Sequence, residues 1–428
     1  NRLASSLMAR GVTSDDVVMH ALLNSAEFVF TYIATHKIGC VNAPLNYRLS
    51  GGEIALLIDQ SKPKALIYDA EFEKIISEAL RSVHHRPEII IMADLNNEMD
   101  APEGVVTYRD FVKDGSPENP VRKDKPSIYD ETTRFFTSGT TNLPKAVPVN
   151  DINEVLSAHD VIMHFPLSPK DVTMNLTPWF HRGGLHSGGP CPTLYIGGTM
   201  VILRDFTALQ YVSLYHITFL IGAPTVIDML CRIQETNPRD ISSLHGIVLM
   251  GSPLDKEPCK RYMKVLTPNI FNGYGTTETF WNVFLRPYDL PDKAGYAGGA
   301  CTDDDVRVVR VDTTKHVSPD ELVPMDKKTV GEVVIFAPNK STFAYYDNPK
   351  TTEEKFHNGW LYTGDLATWD EHAYITIIGR KDDMIVSAGE NIYPVQVESI
   401  LNEHPKVAES LVFGIPDPKR GSVIAALI

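Results

Sequence analysis

Five small or hydroxylic residues follow one another at the start of the segment Thr137 to Val149 (TSGTTNLPKAVPV). Their N–H and O–H groups are closely spaced donors, a glycine lets the backbone approach a ligand, and Lys145 adds a positive charge. Such a loop can wrap the phosphates of a nucleotide, and a surface Ser/Thr turn explains the composition equally well. The run consists of Thr137, Ser138, Gly139, Thr140 and Thr141. It does not match the GxxxxGK[ST] spacing of ordinary phosphate-binding loops, because Pro144 and Ala146 flank the lysine.

A second segment, Asn272 to Thr279 (NGYGTTET), places an aromatic ring between two glycines and ahead of hydroxyls and a carboxylate. Tyr274 could stack on a flat base, and Glu278 could hold a magnesium ion that bridges a phosphate. Thr276 and Thr277 could donate hydrogen bonds to that phosphate. A hairpin turn is the alternative interpretation, and it requires no ligand.

Two further segments place charged residues at turns that contain glycine. In WLYTGDLA (360–367), Asp365 follows a flexible Thr-Gly pair and could accept two ribose hydroxyls, although an ordinary turn aspartate is the commoner explanation. In GRKDDMIVSAGENIYPVQVE (379–398), four charged residues precede a loop with Gly389 and a helix that begins at Pro394. A polar linker between domains explains this last segment, and hinges are built from such residues.

The elements around these segments must bring them together. Buried strand patterns alternate with amphipathic helices through residues 1–295, which predicts βαβ units and parallel sheets. Residues 96–131 are polar and contain prolines, and we interpret them as a long surface connection. Residues 296–378 show short strands and turns, typical of an antiparallel or barrel-like subdomain. A new βα unit begins near Asp383. The predicted fold class is α/β, a large N-terminal domain followed by the start of a small α+β C-terminal domain.

Composition excludes several functional classes. The 428 residues include 40 basic and 54 acidic side chains, a formal net charge of −14, which is unfavourable for binding nucleic acid. The five cysteines are scattered without a CxxC pair, which argues against a zinc site and against a secreted disulfide framework. The best apolar stretch, 217–230, falls short of the roughly 20 residues of a transmembrane segment. The opening NRLASSLMAR has no signal-peptide pattern, so we expect a cytoplasmic enzyme.

In this order and at this spacing, the four segments closely resemble the acyl-adenylate-forming superfamily. That group comprises the acyl-CoA synthetases, the luciferases and the adenylation domains of peptide synthetases. The resemblance runs along essentially the entire chain, and it is closest to the acyl- and aryl-CoA ligases through IVSAGENIYPVQVE and PWFHRGG (178–184). It implies an acid–thiol ligase, a monomer or homodimer, that uses ATP, Mg²⁺ and coenzyme A. A small-molecule carboxylic acid attacks the α-phosphorus of ATP, pyrophosphate leaves, and the CoA thiol takes the acyl group from acyl-AMP.

The resemblance also implies one nucleotide site made from all four segments, with the first loop closing over the β- and γ-phosphates. On the phosphate side, the resemblance implies contacts of Lys145 with those phosphates, of Thr277 with the α-phosphate and of Glu278 with magnesium. On the nucleoside side, it implies contacts of Tyr274 with adenine and of Asp365 and Arg380 with the ribose. The remaining members are Asn272, Gly273, Gly275 and Thr276 beside the tyrosine, and Gly251, Ser252 and Pro253 on the opposite wall of the base site. The candidate catalytic residues are Lys145, Thr277, Glu278 and His181.

For the second step, the resemblance implies a hinge at residues 379–383. Asp382 would be the pivot about which a small mobile domain, residues 384–428, rotates, and Gly389 would then line the CoA tunnel. His181 would form a wall between this tunnel and the acyl pocket. Bulky candidates for the walls of that pocket are Trp179, Phe180, Phe280 and Trp281. They favour a medium, branched or aromatic acid over a long fatty chain, and Arg182 leaves a dicarboxylate open.

Two departures from the family pattern favour rival functions. Asn142 and Ala146 replace family glycines of the first loop. A family lysine that contacts the carboxylate and the α-phosphate has no counterpart, because the chain stops at Ile428, roughly 80 to 100 residues before a complete family member would. We expect the sequence to be part of a longer chain, since adenylation would otherwise be severely slowed. The rivals are an enzyme that loads a carrier protein or leaves the acyl group as an adenylate, and a catalytically weak nucleotide-binding homologue.

Overall fold

The structure is a computed structural model that describes residues 1–94, 99–122, 124–137, 144–203, 208–312, 315–387, 390–402, 404, 406–407, 409–417 and 419–428. Two large sheets with helices come first, an antiparallel sheet follows, and two small hairpins with one helix end the chain. This order agrees with the predicted fold class, in which parallel βαβ sheets and a β-rich part precede a small C-terminal α+β part. Among the described helices, none has both the length and the apolar character that crossing a bilayer requires.

The first sheet contains seven strands. They are β1 (Val17–Ala21), β2 (Val41–Pro44), β3 (Ala65–Asp69), β4 (Ile89–Ala93), β5 (Val106–Thr107), β6 (Glu131–Thr137) and β7 (Lys145–Asn150). The helices of this region are α1 (Arg2–Ala9), α2 (Ala26–Ile38), α3 (Gly51–Ser61), α4 (Glu73–Ser82), α5 (Tyr108–Val112) and α6 (Asp151–His164), with a 3-10 turn at Ala70–Phe72. The strand order is β5-β4-β3-β1-β2-β6-β7, and the neighbours pair in parallel except for β6 and β7. All residues of β1, β3 and β4 are buried, as expected for parallel strands covered on both faces.

Helix α2 shows how the local sequence sets the ends of an element. The Ser25 side chain accepts a hydrogen bond from the Phe28 N–H over 3.1 Å, and Gly39 ends the helix in the left-handed region at φ 85°. Serine satisfies one of the free N–H groups of the first turn, and glycine adopts positive φ without strain. This helix packs Phe28 and Tyr32 into the core beneath the first sheet.

Replacing Ser25 with alanine is expected to lower the free energy of unfolding by about 1 kcal/mol, because the Phe28 N–H loses its acceptor. Urea unfolding followed by circular dichroism measures this loss. Ser25→Thr keeps a hydroxyl acceptor and should recover most of the stability. An equal loss in both variants would show that packing of the buried serine, and not capping, is responsible.

The second sheet also contains seven strands. They are β8 (Val172–Asn175), β9 (Thr199–Met200), β10 (Phe219–Gly222), β11 (Gly246–Met250), β12 (Ile270–Thr276), β13 (Phe280–Leu285) and β14 (Gly299–Ala300). Its helices are α7 (Arg182–His186), α8 (Pro190–Tyr195), α9 (Ala208–Tyr215), α10 (Pro224–Thr236) and α11 (Lys256–Val265), with a 3-10 turn at Pro287–Asp289. The strand order is β14-β13-β12-β11-β10-β8-β9, parallel from β9 to β12 and antiparallel from β12 to β14.

The parallel part of this second sheet positions the predicted segments. Strands β8, β10, β11 and β12 are consecutive neighbours, so their carboxyl ends meet at one edge. In open α/β sheets, ligands bind at this edge. The PWFHRGG segment follows β8, residues 251–253 follow β11, and NGYGT forms the end of β12. Three stretches that are far apart in sequence therefore converge.

The third sheet is antiparallel. Its strands are β15 (Asp305–Val309), β16 (Gly331–Phe336), β17 (Phe356–His357), β18 (Trp360–Trp369) and β19 (Ile375–Arg380), and helix α12 (Pro349–Lys355) precedes β17. The order is β15-β16-β18-β17, with β19 also paired to β18. The C-terminal region contains β20 (Ile385–Ser387), β21 (Glu390–Ile392), α13 (Pro394–Asn402), β22 (Leu411–Asp417) and β23 (Gly421–Leu427). Each strand pair in that region forms a hairpin.

Two sequence-based expectations differ in detail from the structure. The predicted surface connection 96–131 contains two short elements among its described residues: β5 extends the first sheet, and α5 packs on β4 and α1. Asp365 does not follow a turn; it lies within the long strand β18, where Gly364 has a φ of 78° and the ladder shifts register nearby. Polar and glycine residues predict turns when a strand is read in isolation, and here the pairing with β16 and β19 overrides that tendency.

Candidate functional site

A cavity of about 790 Å³ lies at the carboxyl-end edge of the second sheet. Ile377 of β19 and Val395 and Gln396 of α13 close it from the opposite side. Twelve of the residues predicted for the site line it: His181, Gly251, Ser252, Pro253, Asn272, Gly273, Tyr274, Gly275, Thr276, Thr277, Phe280 and Trp281. The fold thus joins the second segment, the opposite base wall and the histidine of PWFHRGG in one space.

Tyr274, Asp365 and Arg380 form a hydrogen-bonded group beside this cavity. The Tyr274 hydroxyl donates to Asp365 Oδ2, and Arg380 Nη1 donates to Asp365 Oδ1 over 2.6 Å. Asp365 and Arg380 are direct partners across the β18–β19 ladder. Burial and the negative charge of Asp365 raise the pKa of Tyr274, so its hydroxyl remains a donor. Residues from three separate segments, predicted for the base and the ribose, are in contact.

The β12–β13 hairpin presents Tyr274 to the cavity. A Cβ on Gly275 would lie 1.7 Å from the carbonyl oxygen of Phe280, so this close approach of two backbones requires glycine. On the same strand, the buried Asn272 Oδ1 has no hydrogen-bond partner among the described residues. An unpaired buried acceptor costs about 1–3 kcal/mol unless a ligand supplies a donor. The exocyclic amino group of a purine is such a donor.

Thr137 and Lys145 stand opposite each other at the open end of the β6–β7 ladder. Both ends of the first predicted loop are therefore fixed at one place. Ser138, Gly139, Thr140 and Thr141 lie outside the described residues, and their contact with phosphates stays a prediction. The Lys145 ammonium lies 5.6 Å from the centre of the Tyr345 ring, and it makes no ion pair with a described residue.

Tyr345 connects this lysine to Glu278. Its hydroxyl donates to Glu278 Oε1 over 2.5 Å, and burial together with the carboxylate charge raises the pKa of Tyr345. The second carboxylate oxygen of Glu278 has no partner among the described residues, and a carboxylate oxygen is a ligand that Mg²⁺ prefers. Tyr345 was not predicted, because nothing in FAYYDNP (343–349) distinguishes it from a core tyrosine.

Arg182 anchors the backbone next to Glu278 at the wall of the cavity. It is 1% exposed and lines the cavity, and its Nη1 and Nη2 donate to the carbonyls of Thr277 over 2.8 Å and of Lys340 over 2.6 Å. Burial lowers the pKa of Arg182 to about 10, so it remains charged at neutral pH. Within the described part of the chain, no carboxylate lies at ion-pair distance from it. Its hydrogen bonds hold the Thr277 backbone against the cavity wall.

The predicted walls of the acyl pocket divide into two pairs. Phe280 and Trp281 line the cavity and stack on each other, with ring centres 5.3 Å apart. Trp179 and Phe180 do not line it: Trp179 packs edge-on against Phe28 at 5.5 Å, and Phe180 packs against Tyr47 at 4.9 Å. The backbone turn after β8 directs these two side chains into the core of the first region.

The predicted hinge lies immediately after an anchored residue. Lys381 Nζ forms an ion pair with Glu332 over 2.6 Å, and the Lys381 N–H donates to the Gly364 carbonyl over 2.7 Å. Asp382, the next residue, is exposed. These two contacts hold the chain at residue 381, directly before the predicted pivot Asp382, whose role stays a prediction. Gly389 lies outside the described residues.

Comparison with known proteins agrees with this geometry. Residues 1–346 match the family described as AMP-binding enzyme, and residues 396–428 match the AMP-binding enzyme C-terminal domain. The chain belongs to the AMP-binding enzyme family. The match covers the first two sheets, the Tyr274 hairpin and the loop that ends at Lys145, and the second match covers most of α13 and the last hairpin.

Several relatives of this AMP-binding enzyme have names and solved structures. It is 30% identical over 434 residues to indoleacetate–CoA ligase of Aromatoleum aromaticum, covering 100% of the chain and 81% of the relative. It is 30% identical over 432 residues to feruloyl-CoA synthase of an Amycolatopsis species, with the same coverage. Among solved structures, o-succinylbenzoate CoA synthetase of Bacillus subtilis in complex with its acyl-adenylate superposes with a TM-score of 0.83 at 28% identity, covering 99% of this chain and 80% of that one.

These comparisons confirm the fold class and the class of activity predicted from the sequence. The AMP-binding enzyme is an acid–thiol ligase that forms acyl-adenylates, and it acts on a carboxylic acid, ATP and CoA. A fatty acyl CoA synthetase of Mycobacterium tuberculosis shares the fold with a TM-score of 0.80 at 26% identity, covering 99% of this chain and 80% of that one.

Two buried groups of potential metal ligands were not anticipated from the sequence. Glu154, His186 and Cys191 form one group, and their ligand atoms lie within 4.8 Å of one another. The second group is Asp160, His164 and Cys301. In both, the carboxylate is already hydrogen-bonded inside the protein, to Tyr32 over 2.8 Å in the first group and to Lys340 over 2.7 Å in the second. We interpret them as buried polar networks. Asp160 and His164 are one turn apart on α6, but the other members lie far apart in the sequence, and only the fold brings them together.

His181 of the AMP-binding enzyme is expected to act without changing charge at working pH. Burial and repulsion from Arg48 lower the pKa of His181 to about 4, although its ring is accessible from the cavity. The neutral form therefore dominates above about pH 5. The pH profile of acid-dependent pyrophosphate release between pH 5.5 and 8 should have the same shape for the wild type and for His181→Gln. Loss of an inflection near pH 6.5 in the variant would show that His181 titrates.

Proposed function

We propose that this AMP-binding enzyme joins a medium-sized, branched or aromatic carboxylic acid to free CoA, with ATP bound as its magnesium complex. The observation that carries the proposal is the contact among Tyr274, Asp365 and Arg380 beside a cavity whose other walls include Phe280 and Trp281. The base and ribose site and an aromatic acyl site thus adjoin, as an acyl-AMP requires.

Charge neutralisation dominates the first step, because both reactants are anions. Lys145 places a cation at the end of the first loop, and Thr277 faces the cavity with its backbone fixed by Arg182. These groups orient the α-phosphate toward the attacking carboxylate and stabilise the charge that develops on it. Glu278 would hold Mg²⁺, which supplies further neutralisation of the phosphates. The chemistry needs no nucleophilic side chain.

The shape of the acyl part favours a flat or branched acid. The stacked rings of Phe280 and Trp281 present apolar surface that suits an aromatic ring. The two Nη atoms of Arg182 donate to protein carbonyls, whereas its Nε has no partner among the described residues, so a short dicarboxylate is included in the test below. The relatives named for indoleacetate and ferulate support an aromatic substrate, and their names support CoA as the acceptor.

In the second step, the small domain would rotate about Asp382 and open the tunnel through which the CoA thiol reaches the acyl-adenylate. His181 lines the cavity at the start of α7, where it can separate the acyl group from the incoming thiol. The neutral imidazole fits this place, because it adds no charge beside the adenylate. We propose residues 379–383 as the hinge and residues 384–428 as the mobile domain, because the ion pair of Lys381 with Glu332 holds the chain that precedes Asp382.

A panel of acids tests the function. The protein at its natural length is incubated with ATP, Mg²⁺ and CoA and with indole-3-acetate, benzoate, ferulate, a branched short-chain acid, a long-chain fatty acid or a short dicarboxylate. Acid-dependent pyrophosphate release and a CoA thioester, detected by mass spectrometry, are the expected results with the aromatic or branched acids. Pyrophosphate release without a thioester would favour transfer to a carrier protein, and ATP binding without release would favour the catalytically weak homologue.

A further inference from the structure

Lys355 is a half-buried cation without a partner at the edge of the proposed nucleotide site. It is the last residue of α12, and no described residue forms an ion pair or a hydrogen bond with its side chain. A lysine that loses hydration without gaining a partner is destabilising, because its charge is left uncompensated. Such a residue in a cleft suggests an anionic ligand.

The geometry places this lysine beside the ribose group. A Cβ at Gly364 would lie 3.3 Å from Lys355 Nζ and 3.4 Å from Arg380 Nη2, so both cationic groups converge on the backbone next to Asp365. Gly364 has a φ of 78°, a conformation that side chains rarely adopt. The absence of a side chain there leaves the space between the two cations free.

Lys145 belongs to the same positive cluster. Burial lowers the pKa of Lys355, and repulsion from Arg380 and Lys145 lowers it further, against the attraction of Asp382 and Glu332. Of these carboxylates, Glu332 is already paired with Lys381 over 2.6 Å. Arg380 is likewise paired with Asp365 over 2.6 Å, so Lys355 and Lys145 are the two cations of this cluster that form no ion pair with a described residue.

A purely structural explanation exists and predicts a different result. A lysine in the last turn of a helix interacts favourably with the helix dipole, typically by 0.3–1 kcal/mol. This explanation accounts for a cation at position 355, but it does not require the side chain to face two other cations. Repulsion between Lys355 and Lys145, neither of which forms an ion pair with a described residue, opposes this arrangement, and an anion bound beside both would relieve it.

We propose that Lys355 contacts the β- or γ-phosphate of ATP, and pyrophosphate after adenylation, as a third cation beside Lys145 and Arg380. The inference rests on the proposed function, since it assigns an additional residue to the same nucleotide site. The ligand class is a polyphosphate chain, and AMP, which carries only the α-phosphate, should not require Lys355.

The test compares the binding of three probes by titration calorimetry without a carboxylic acid: ATP with Mg²⁺, inorganic pyrophosphate and AMP. Lys355→Met, which keeps the length and removes the charge, should weaken ATP and pyrophosphate about tenfold and leave AMP unchanged. Lys355→Arg should retain most of the affinity. Lys350→Met is the matched control on the same helix, because the Lys350 side chain is 88% exposed, and it should bind all three probes like the wild type.

Each other outcome overturns the inference. If Lys355→Met binds all three probes with wild-type affinity, the lysine only stabilises the end of the helix. If the affinity for AMP falls as much as that for ATP, the lysine contacts the ribose or the α-phosphate. Unfolding temperatures of the variants establish that they are folded, and Lys355→Gln replaces Lys355→Met if the latter is not. Absence of ATP binding and of acid-dependent ATP–pyrophosphate exchange in the wild type would reject the proposed function itself. If the wild type is active and Lys355→Met binds all three probes normally, only the role of Lys355 is rejected.

Discussion

Lys145→Ala is expected to slow adenylate formation by about 10²–10³-fold, a loss typical for removing one group that stabilises developing transition-state charge. The lysine stands at the end of the first loop, opposite Thr137, and 5.6 Å from the ring of Tyr345, whose hydroxyl reaches Glu278. Its charge therefore lies on the phosphate side of the site. Acid-dependent exchange of labelled pyrophosphate into ATP measures the effect.

The fold should tolerate this change, since Lys145 makes no ion pair with a described residue that would be left unpaired. Its unfolding midpoint should stay close to that of the wild type, and Lys145→Arg should restore part of the activity by keeping the charge. Lys170→Ala, in an exposed turn before β8, is a control that should leave exchange unchanged. Wild-type exchange rates in Lys145→Ala would contradict the role assigned to this lysine.

The parts of the site that the sequence predicted are those carried by unusual local composition. Tyr274 between two glycines and Asp365 after Thr-Gly stood out as segments, and the structure brings them into contact. Their proximity follows from the topology, because Tyr274 ends a parallel strand of the second sheet and Asp365 lies in the third sheet. The resemblance to a known family supplied that topology, which local patterns alone did not specify.

The residues that the sequence missed are those whose role depends on tertiary neighbours. Tyr345 and Lys355 lie in a polar stretch without a motif, and only packing places one against Glu278 and the other near Arg380. Conversely, Trp179 and Phe180 have the bulk expected of pocket walls, but the turn after β8 buries them away from the cavity. Side-chain type predicts what a residue can do, and backbone direction decides whether it reaches the site.

Asp382→Pro is expected to spare adenylate formation within a few-fold and to lower thioester formation at least 100-fold, because hinge rotation would be required only for the second step. Proline fixes φ near −65° and removes a donor, and the described structure shows no hydrogen bond from the Asp382 N–H, so the substitution removes no backbone hydrogen bond of the described residues. The ion pair of Lys381 with Glu332 holds the chain before residue 382. Asp382 is therefore the first position at which the proposed rotation of the small domain could occur. Pyrophosphate exchange measures the first step, and release of the CoA thioester from a preformed acyl-adenylate measures the second.

The variant also removes a negative charge that attracts Lys355 and Arg380, so charge and rigidity must be separated. Asp382→Asn removes the charge and keeps the backbone free, and both of its half-reactions should stay close to those of the wild type. Asp383→Pro, one residue further along the same turn, would lose the hydrogen bond from its N–H to the Arg380 carbonyl over 3.3 Å, and it should affect the first step as well. Equal losses of both half-reactions in Asp382→Pro would count against a pivot at this position, because a residue that serves only rotation has no reason to slow adenylation.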